Sequence, residues 1–291
     1  MKGSGKLIAA LLVLALAACL LAGCGLGSAE TQIKKAVVNM TKAKSYDVAA
    51  NLTMRVSWFG VSEVGVSIIR DRSWKGSYFS DPMKMVMSTF AMDTFGEEDS
   101  VLTEEYFIAE GDTVTIYIYG FGDWIKTNAS DQPQKLQQYD INKSLDLYSK
   151  GAKNFVKVGT EKIDGIMTDV LEGFVSGTDM LDYMDSMLGM LYLPQPQETA
   201  EHSEVWEALK ALCGNMQDMP LKLWIDTKTH MPVQYYMYMT EALDAVGNAV
   251  GKAMPEGHLI DETITACKIT VRIRNINKAT DFSLPAEALA V

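Results

Sequence analysis

Strict alternation of apolar and polar side chains is the sequence feature that most restricts the fold of this chain. It is clearest at residues 114–119, where valine and isoleucine alternate with threonine and tyrosine. Because successive side chains of an extended strand point to opposite faces, this period predicts half-buried β-strands. Comparable segments occur at 46–58, 61–70, 82–93, 102–110, 153–161, 165–175 and 261–275, and a hairpin is predicted from the segments 221–226 and 233–239. Short turn sequences such as Asp164-Gly165 separate neighbouring segments, so we expect antiparallel hairpins.

Helical periodicity is confined to a few segments before and between these strands. The segment Ala29 to Lys44 places Ile33, Ala36, Val37 and Met40 on one face of a helix. Further helices are predicted at 178–191, 199–213 and 241–253, and residues 134–150 are predicted to be partly helical. We find no internal repeat and no interdomain linker. The sequence therefore predicts one α+β domain, residues 29–291, in which helices cover one side of a large antiparallel sheet.

The amino terminus has the pattern of an export signal. A short basic segment at residues 2–6 precedes an uncharged apolar run at 7–22. This run is shorter than the roughly 20 residues that a transmembrane helix needs, and it is typical of a secretory signal peptide. It ends in Leu21-Ala22-Gly23-Cys24, which resembles the bacterial lipobox.

That resemblance implies that residues 1–23 are removed and that Cys24 becomes a lipidated first residue. Residues 24–28 would then be a short flexible tether. Lipidation with two or three acyl chains would hold the domain stably on the extracytoplasmic face of the membrane. The alternative is an uncleaved amino-terminal anchor helix in which Cys24 has no role. Both interpretations place the domain outside the cytoplasm.

The charge of the chain excludes one class of partner. The net charge is −11, and cleavage would also remove two lysines. An acidic surface argues against binding to nucleic acid and against electrostatic adhesion to anionic lipid head groups. The covalent lipid on Cys24, rather than surface charge, would therefore hold the protein at the membrane.

Two cysteines remain after export and lipidation, because Cys19 leaves with the signal peptide and Cys24 is acylated. Cys213 and Cys267 could form a disulfide outside the cytoplasm, and so long a closed loop would stabilise the fold by about 4 kcal/mol. The alternative is two buried free thiols, since cysteine packs as a small apolar residue. No Cys-x-x-Cys pair occurs, which argues against a zinc ribbon or a thioredoxin-like site.

Four short segments follow the lipobox in a fixed order. They are Ser45-Tyr46, Trp124-Ile125-Lys126, the stretch Met219–Val233 and the closing stretch Phe282–Ala288. Together these segments resemble the LolA/LppX-like lipoproteins, especially an uncharacterised branch in Gram-positive bacteria. The resemblance implies a curved, unclosed antiparallel half-barrel with helices packed on its concave face. It also implies that lipids or acyl chains are carried between sheet and helices. None of the matching residues is a catalytic signature.

The sequence contains no constellation that indicates catalysis. The three histidines lie far apart without metal-ligand spacing: His202, His230 and His258. Acidic residues recur every three positions on one predicted helix, at Asp179, Asp182 and Asp185. A cation could bridge them, but a solvated helix face is the simpler interpretation. We therefore predict no enzyme activity, no cofactor and no metal site.

The candidate ligand-binding residues lie on two methionine-rich surfaces. One strand carries Met83, Met85 and Met87 on one face, and one predicted helix carries Met180, Met184, Met187, Leu188 and Leu191. Methionine adapts to apolar ligands of varied shape, so the two surfaces could line a cavity for a lipid or an apolar peptide. The alternative is an ordinary core, because an apolar stripe at helical spacing usually packs. The first interpretation predicts a binding or carrier module, the second an interaction or sensor-accessory lipoprotein with a fully packed core.

Overall fold

The computed structural model describes residues 28–59, 65–95, 97–110, 113–128, 152–176, 218–253 and 261–291. Several predictions fall outside these ranges. They concern Cys24, Cys213, the predicted helices at 134–150, 178–191 and 199–213, and the acidic and methionine-rich residues of the second of these. No helix among the described residues is long and apolar enough to cross a membrane.

Eleven strands of the described chain form one sheet in which every pairing is antiparallel. The strands are β1 (Ser45–Phe59), β2 (Gly65–Ser80), β3 (Met83–Phe95), β4 (Glu97–Glu110), β5 (Thr113–Gly120), β6 (Asp123–Asn128), β7 (Ala152–Ile163), β8 (Ile166–Val175), β9 (Met219–Asp226), β10 (Pro232–Tyr238) and β11 (Asp261–Arg274). Their order across the sheet is β6-β5-β4-β3-β2-β1-β11-β10-β9-β8-β7. The end strands β6 and β7 do not pair with each other, so the described sheet is an open half-barrel. The predicted fold class is confirmed.

One face of this sheet, here called the inner face, carries the main core. Strand β11 shows why, because Cys267, Ile269, Val271 and Ile273 are all buried there. The residues that alternate with them, such as Lys268 and Arg274, point to the opposite, outer face. This agrees with the predicted alternation of one apolar and one polar face.

Helix α1 (Ala29–Met40) packs on the inner face and buries Ile33, Ala36 and Met40. Its main strand contacts are with β7, β9 and β10. The helix ends at Met40, four residues earlier than predicted. The chain turns here into β1, and the Lys44 amide donates to Asn277 Oδ1 at 2.7 Å instead of continuing the helix.

Helix α2 (Thr240–Ala253) packs mainly against β11. Its first residue inserts a hydroxyl into the strand ladder: the Cys267 amide donates to Thr240 Oγ1 at 2.7 Å. One turn later Asp244 Oδ1 accepts from the Ile264 amide at 2.8 Å. Both described helices therefore have their main contacts with strands β7 and β9–β11.

Three strands differ from the prediction, and one of them, β4, begins at Glu97 rather than at residue 102. Strand β2 was expected at 61–70, but it continues to Ser80 and pairs with β1 over residues 65–79 and with β3 over residues 69–80. Four consecutive polar residues, Arg70 to Ser73, interrupt the apolar alternation, which is why the sequence pattern stops early. Strand β10 contains a register shift between Pro232 and Gln234. Val233 therefore packs in an outer-face cluster with Trp224, although the sequence placed it on the same face as Tyr235.

The carboxy-terminal segment, residues 281–291, lies over the outer face of β3–β6. Phe282, Leu284 and Ala288 cluster there with Tyr106, Tyr117 and Trp124. Lys84 secures the start of this segment by an ion pair with Asp281 and by a hydrogen bond of 3.2 Å to the Phe282 carbonyl. The segment thus buries aromatic side chains on the face opposite the main core.

Candidate ligand-binding face

Large apolar side chains line the inner face of β2–β5. We call five of them the methionine patch: Trp74, Met85, Met87, Phe107 and Ile116. Strand register brings them together, because Met85 lies opposite Phe107 on β4, and Phe107 lies opposite Ile116 on β5. None of the five is more than 8% exposed. The patch is therefore a continuous apolar surface across four strands.

The three methionines predicted on one strand face are all in β3. Met85 and Met87 are buried in the patch, and Met83 is half-buried at the start of the strand. Their predicted helical partners Met180, Met184, Met187, Leu188 and Leu191 lie outside the described residues. The meeting of the two methionine-rich surfaces, and a ligand between them, stay predictions.

Gly76 provides space for the methionine patch. The sequence pattern did not indicate this role of Gly76. Gly76 lies opposite Met87, and a Cβ built on it would collide with the Val86 carbonyl oxygen. The same Cβ would lie 3.0 Å from Met87 Sδ. The side chain of Met87 therefore lies above β2 in space where a residue larger than glycine at position 76 would clash with it.

A polar band borders the patch on the same face. We define it as Arg72, Thr89 and Glu105. Thr89 lies opposite Trp74 and is diagonal to both other members, an arrangement in which long side chains can meet. Thr89 and Glu105 are 5% and 6% exposed.

Arg72 and Thr89 differ in how their polar atoms are satisfied. Arg72 is half-buried, and its Nη1 donates to the carbonyl oxygens of Asp71 and Met92 at 3.2 and 3.3 Å. The buried Thr89 Oγ1 has no hydrogen-bond partner in the described structure, and the same is true of Gln32 Oε1 on α1. Leaving a buried polar atom without a partner costs about 1–3 kcal/mol, so such atoms are rare in folded proteins.

Cys267 lies at the centre of the core under α2. Burial raises the pKa of its thiol to about 12. Its predicted disulfide partner Cys213 lies outside the described residues, and the bridge stays a prediction.

The longest segment of the resemblance, Met219–Val233, forms the β9–β10 hairpin. Asp226 organises the turn, since its two carboxylate oxygens accept from the Lys228 amide at 2.8 Å and from Thr229 Oγ1 at 2.6 Å. His230 in this turn is half-buried with a φ of 54°. This positive φ belongs to the β9–β10 turn, in which the His230 amide donates to the Asp226 carbonyl at 2.9 Å.

Among the described residues, no three or more His, Cys, Asp or Glu side chains form a cluster that could hold a metal ion. His202, His258 and the acidic residues Asp179, Asp182 and Asp185 lie outside the described ranges.

No protein-family model and no curated protein matches the chain. Among solved structures it is similar to the lipoprotein LppX of Mycobacterium tuberculosis, with 17% identity, a TM-score of 0.40, and coverage of 87% of this chain and 97% of that one. It is also similar to LprF of Mycobacterium bovis, with 14% identity, a TM-score of 0.43, and coverage of 89% and 100%. A LolA-superfamily protein of Nitrosomonas europaea matches with 10% identity, a TM-score of 0.24, and coverage of 89% and 96%. LppX and the LolA superfamily are also the names of the family that the sequence resembles.

Proposed function

We propose that this chain is an exported lipoprotein whose domain binds the apolar part of an amphiphile on the inner face of its sheet, without catalysing a reaction. The observation that carries the proposal is the methionine patch on β2–β5. Helices α1 and α2 make their main contacts on the other half of the sheet. The patch is thus a broad apolar surface apart from the main contacts of both described helices.

The chemistry of the patch suits a flexible apolar ligand. The thioethers of Met85 and Met87 are unbranched and polarisable, and such side chains adjust to ligands of different shape. Trp74 and Phe107 add rigid aromatic surface beside them. A ligand pocket usually combines such an apolar lining with a few polar groups, which the polar band would supply.

Native mass spectrometry tests this proposal. The full chain is expressed with Cys24→Ser, so that its own acyl chains cannot occupy the face. We expect an amphiphile to co-purify, or a phospholipid added in detergent to bind. No co-purifying lipid and no mass shift with added phospholipid would contradict the proposal.

A matched pair of variants locates the ligand. Met87→Gln keeps the length of the side chain but places a polar amide in the patch, and we expect it to lower lipid retention. Phe90→Gln is the control, because Phe90 lies on the same strand, faces outward and is 41% exposed. Circular dichroism establishes that both variants are folded. Equal retention by the two variants would place the ligand elsewhere.

A second candidate is an interaction lipoprotein with a packed core, and specific outer side chains favour it. Phe90 lies directly opposite Leu102 on the outer face, and Leu102 is 54% exposed. Phe121 in the β5–β6 turn is 91% exposed. This candidate predicts no lipid retention. It also predicts that Phe90→Gln, but not Met87→Gln, lowers crosslinking to another envelope protein.

A further inference from the structure

We propose that Thr89 binds the ester carbonyl of an acyl lipid whose hydrocarbon chain lies on the methionine patch. The inference rests on the proposed function, because it requires an apolar chain on that face. It goes further by naming the chemical linkage that the site recognises and the residue that recognises it.

The hydroxyl of Thr89 is the polar group that the described fold leaves for a ligand. Thr89 Oγ1 is buried without a hydrogen-bond partner in the described structure. The other members of the polar band, Arg72 and Glu105, already have interactions of their own. Neither of them is therefore assigned to the ligand.

The neighbours of Thr89 on the inner face do not satisfy its hydroxyl. Trp74 lies directly across on β2, and Thr103 lies directly across on β4. Thr103 is half-buried and carries a hydroxyl, yet Thr89 Oγ1 does not bond to it. A buried hydroxyl without a partner is destabilising, and valine has the same shape without that cost. Thr89 is therefore suited to donate to an acceptor from outside the chain.

Burial favours a neutral acceptor. Thr89 is 5% exposed and lies beside Trp74 and Met87 on an apolar surface. An anion in such a place would need a charged partner, whereas the threonine hydroxyl is a neutral donor. The carbonyl oxygen of an ester is neutral and accepts this single bond. The low local dielectric also strengthens a hydroxyl–carbonyl hydrogen bond.

The order of side chains along β3 fits an ester followed by a hydrocarbon chain. Met85, Met87 and Thr89 are alternate residues of this strand and share its inner face. The rise of a strand places Met85 and Thr89 about 13 Å apart. An acyl chain that extends along β3 from an ester at Thr89 would contact Met87 and then Met85.

Lipids that differ only in their chain linkage test the inference. The Cys24→Ser full chain is presented in detergent with diacyl phosphatidylcholine and with its dialkyl ether analogue of equal chain length. The two lipids share head group and hydrocarbon, but the ether lacks the carbonyl oxygen. We expect the diacyl lipid to bind about fivefold more tightly in native mass spectrometry, since one neutral hydrogen bond has a modest net effect.

Variants connect this preference to one hydroxyl. Thr89→Val preserves side-chain shape and should reduce the preference to near one by weakening the diacyl lipid alone. Thr89→Ser keeps a hydroxyl and should retain the preference. Thr115→Val is the matched control, because Thr115 on β5 alternates with the patch residue Ile116 and lies on the outer face. It should leave the preference unchanged.

Thermal denaturation separates a role in binding from a role in folding. Without lipid, Thr89→Val should unfold at the same temperature as the parent or at a higher one, because it removes an unpaired hydroxyl. Added diacyl lipid should raise the unfolding temperature of the parent more than that of Thr89→Val. A large loss of stability in lipid-free Thr89→Val would mean that the hydroxyl serves the fold, and it would overturn the assignment.

The binding outcomes separate this inference from the proposed function. Equal binding of the diacyl and dialkyl lipids by the parent protein, or a preference that persists in Thr89→Val, overturns the ester site while lipid binding stands. Loss of the preference in Thr115→Val as well would also overturn it. Failure of both lipids to bind removes the proposed function itself.

Discussion

At the scale of single residues, burial and hydrogen bonding shift the pKa values of individual side chains in opposite directions. Cys267 is the clearest case, because desolvation alone raises the pKa of its thiol to about 12. A thiol with this pKa is almost entirely protonated at pH 8, and the thiolate is the reactive form. The position of Cys267 therefore predicts an inert side chain in the folded protein.

Alkylation measures this inertness. Reduced, folded protein treated briefly with iodoacetamide at pH 8 should remain unmodified at Cys267, and the same treatment in urea should modify it fully. Peptide mass spectrometry distinguishes Cys267 from Cys213. Rapid labelling of Cys267 in the folded state would show that the core under α2 opens readily.

Asp226 illustrates the opposite shift. Burial acts to raise the pKa of its carboxyl group, but hydrogen bonds from Thr229 and the Lys228 amide outweigh burial and lower the pKa below 3.8. A carboxyl group whose pKa is lower in the folded state stabilises the fold above its unfolded pKa. That contribution is lost as the pH falls through the folded pKa.

We therefore expect Asp226→Asn to lower the free energy of unfolding by about 1–2 kcal/mol at pH 7. The difference between variant and parent should shrink as the pH is lowered through and below 3.8, the ordinary pKa of the group. Urea unfolding at several pH values measures it. A difference that is constant from pH 7 to pH 3 would contradict this account of the turn.

At the scale of elements, alternation in the sequence predicted strands well where apolar residues occupy every second position. Strands β5 and β11 are such cases. It failed for the second half of β2, where the polar run from Arg70 to Ser73 breaks the pattern, and for Val233, where a register shift moves the side chain to the other face. Apolar alternation in the sequence predicts a regular strand. Register shifts and bulges depend on contacts with neighbouring strands, which the local sequence does not show.

Gly76 allows a test of element packing with an internal control. Gly76→Ala should destabilise the protein by about 1–3 kcal/mol, because the new methyl group meets the Val86 carbonyl and Met87. Gly159→Ala in β7 should be neutral or slightly stabilising, since no atom lies within 4 Å of a Cβ built there. Thermal denaturation of both variants measures the difference. Equal effects would mean that β2 and β3 are packed less closely than described.

At the scale of the whole molecule, the sequence predicted the open antiparallel half-barrel and the shared face of the three β3 methionines. It did not predict the polar band. Arg72, Thr89 and Glu105 are far apart in sequence, and only the register of three strands makes them neighbours. The helical half of the predicted site lies outside the described residues and stays a prediction.

The proposed anchor is tested by fractionation of cells that express the full chain. We expect the parent protein in the membrane fraction and Cys24→Ser released from it, because the acidic domain lacks a charge attraction for anionic head groups. Cys19→Ser is the matched control and should remain membrane-bound. Retention of Cys24→Ser in the membrane would contradict anchoring through Cys24.

Photocrosslinking tests the central claim most directly. The Cys24→Ser full chain is irradiated with a phospholipid that carries a diazirine in its acyl chain, and the labelled residues are identified by mass spectrometry. The account predicts labels at inner-face residues of β3 and β4, above all Met85, Met87 and Phe107. Labels confined to outer-face residues such as Phe90 and Leu102, or no specific labelling, would contradict it.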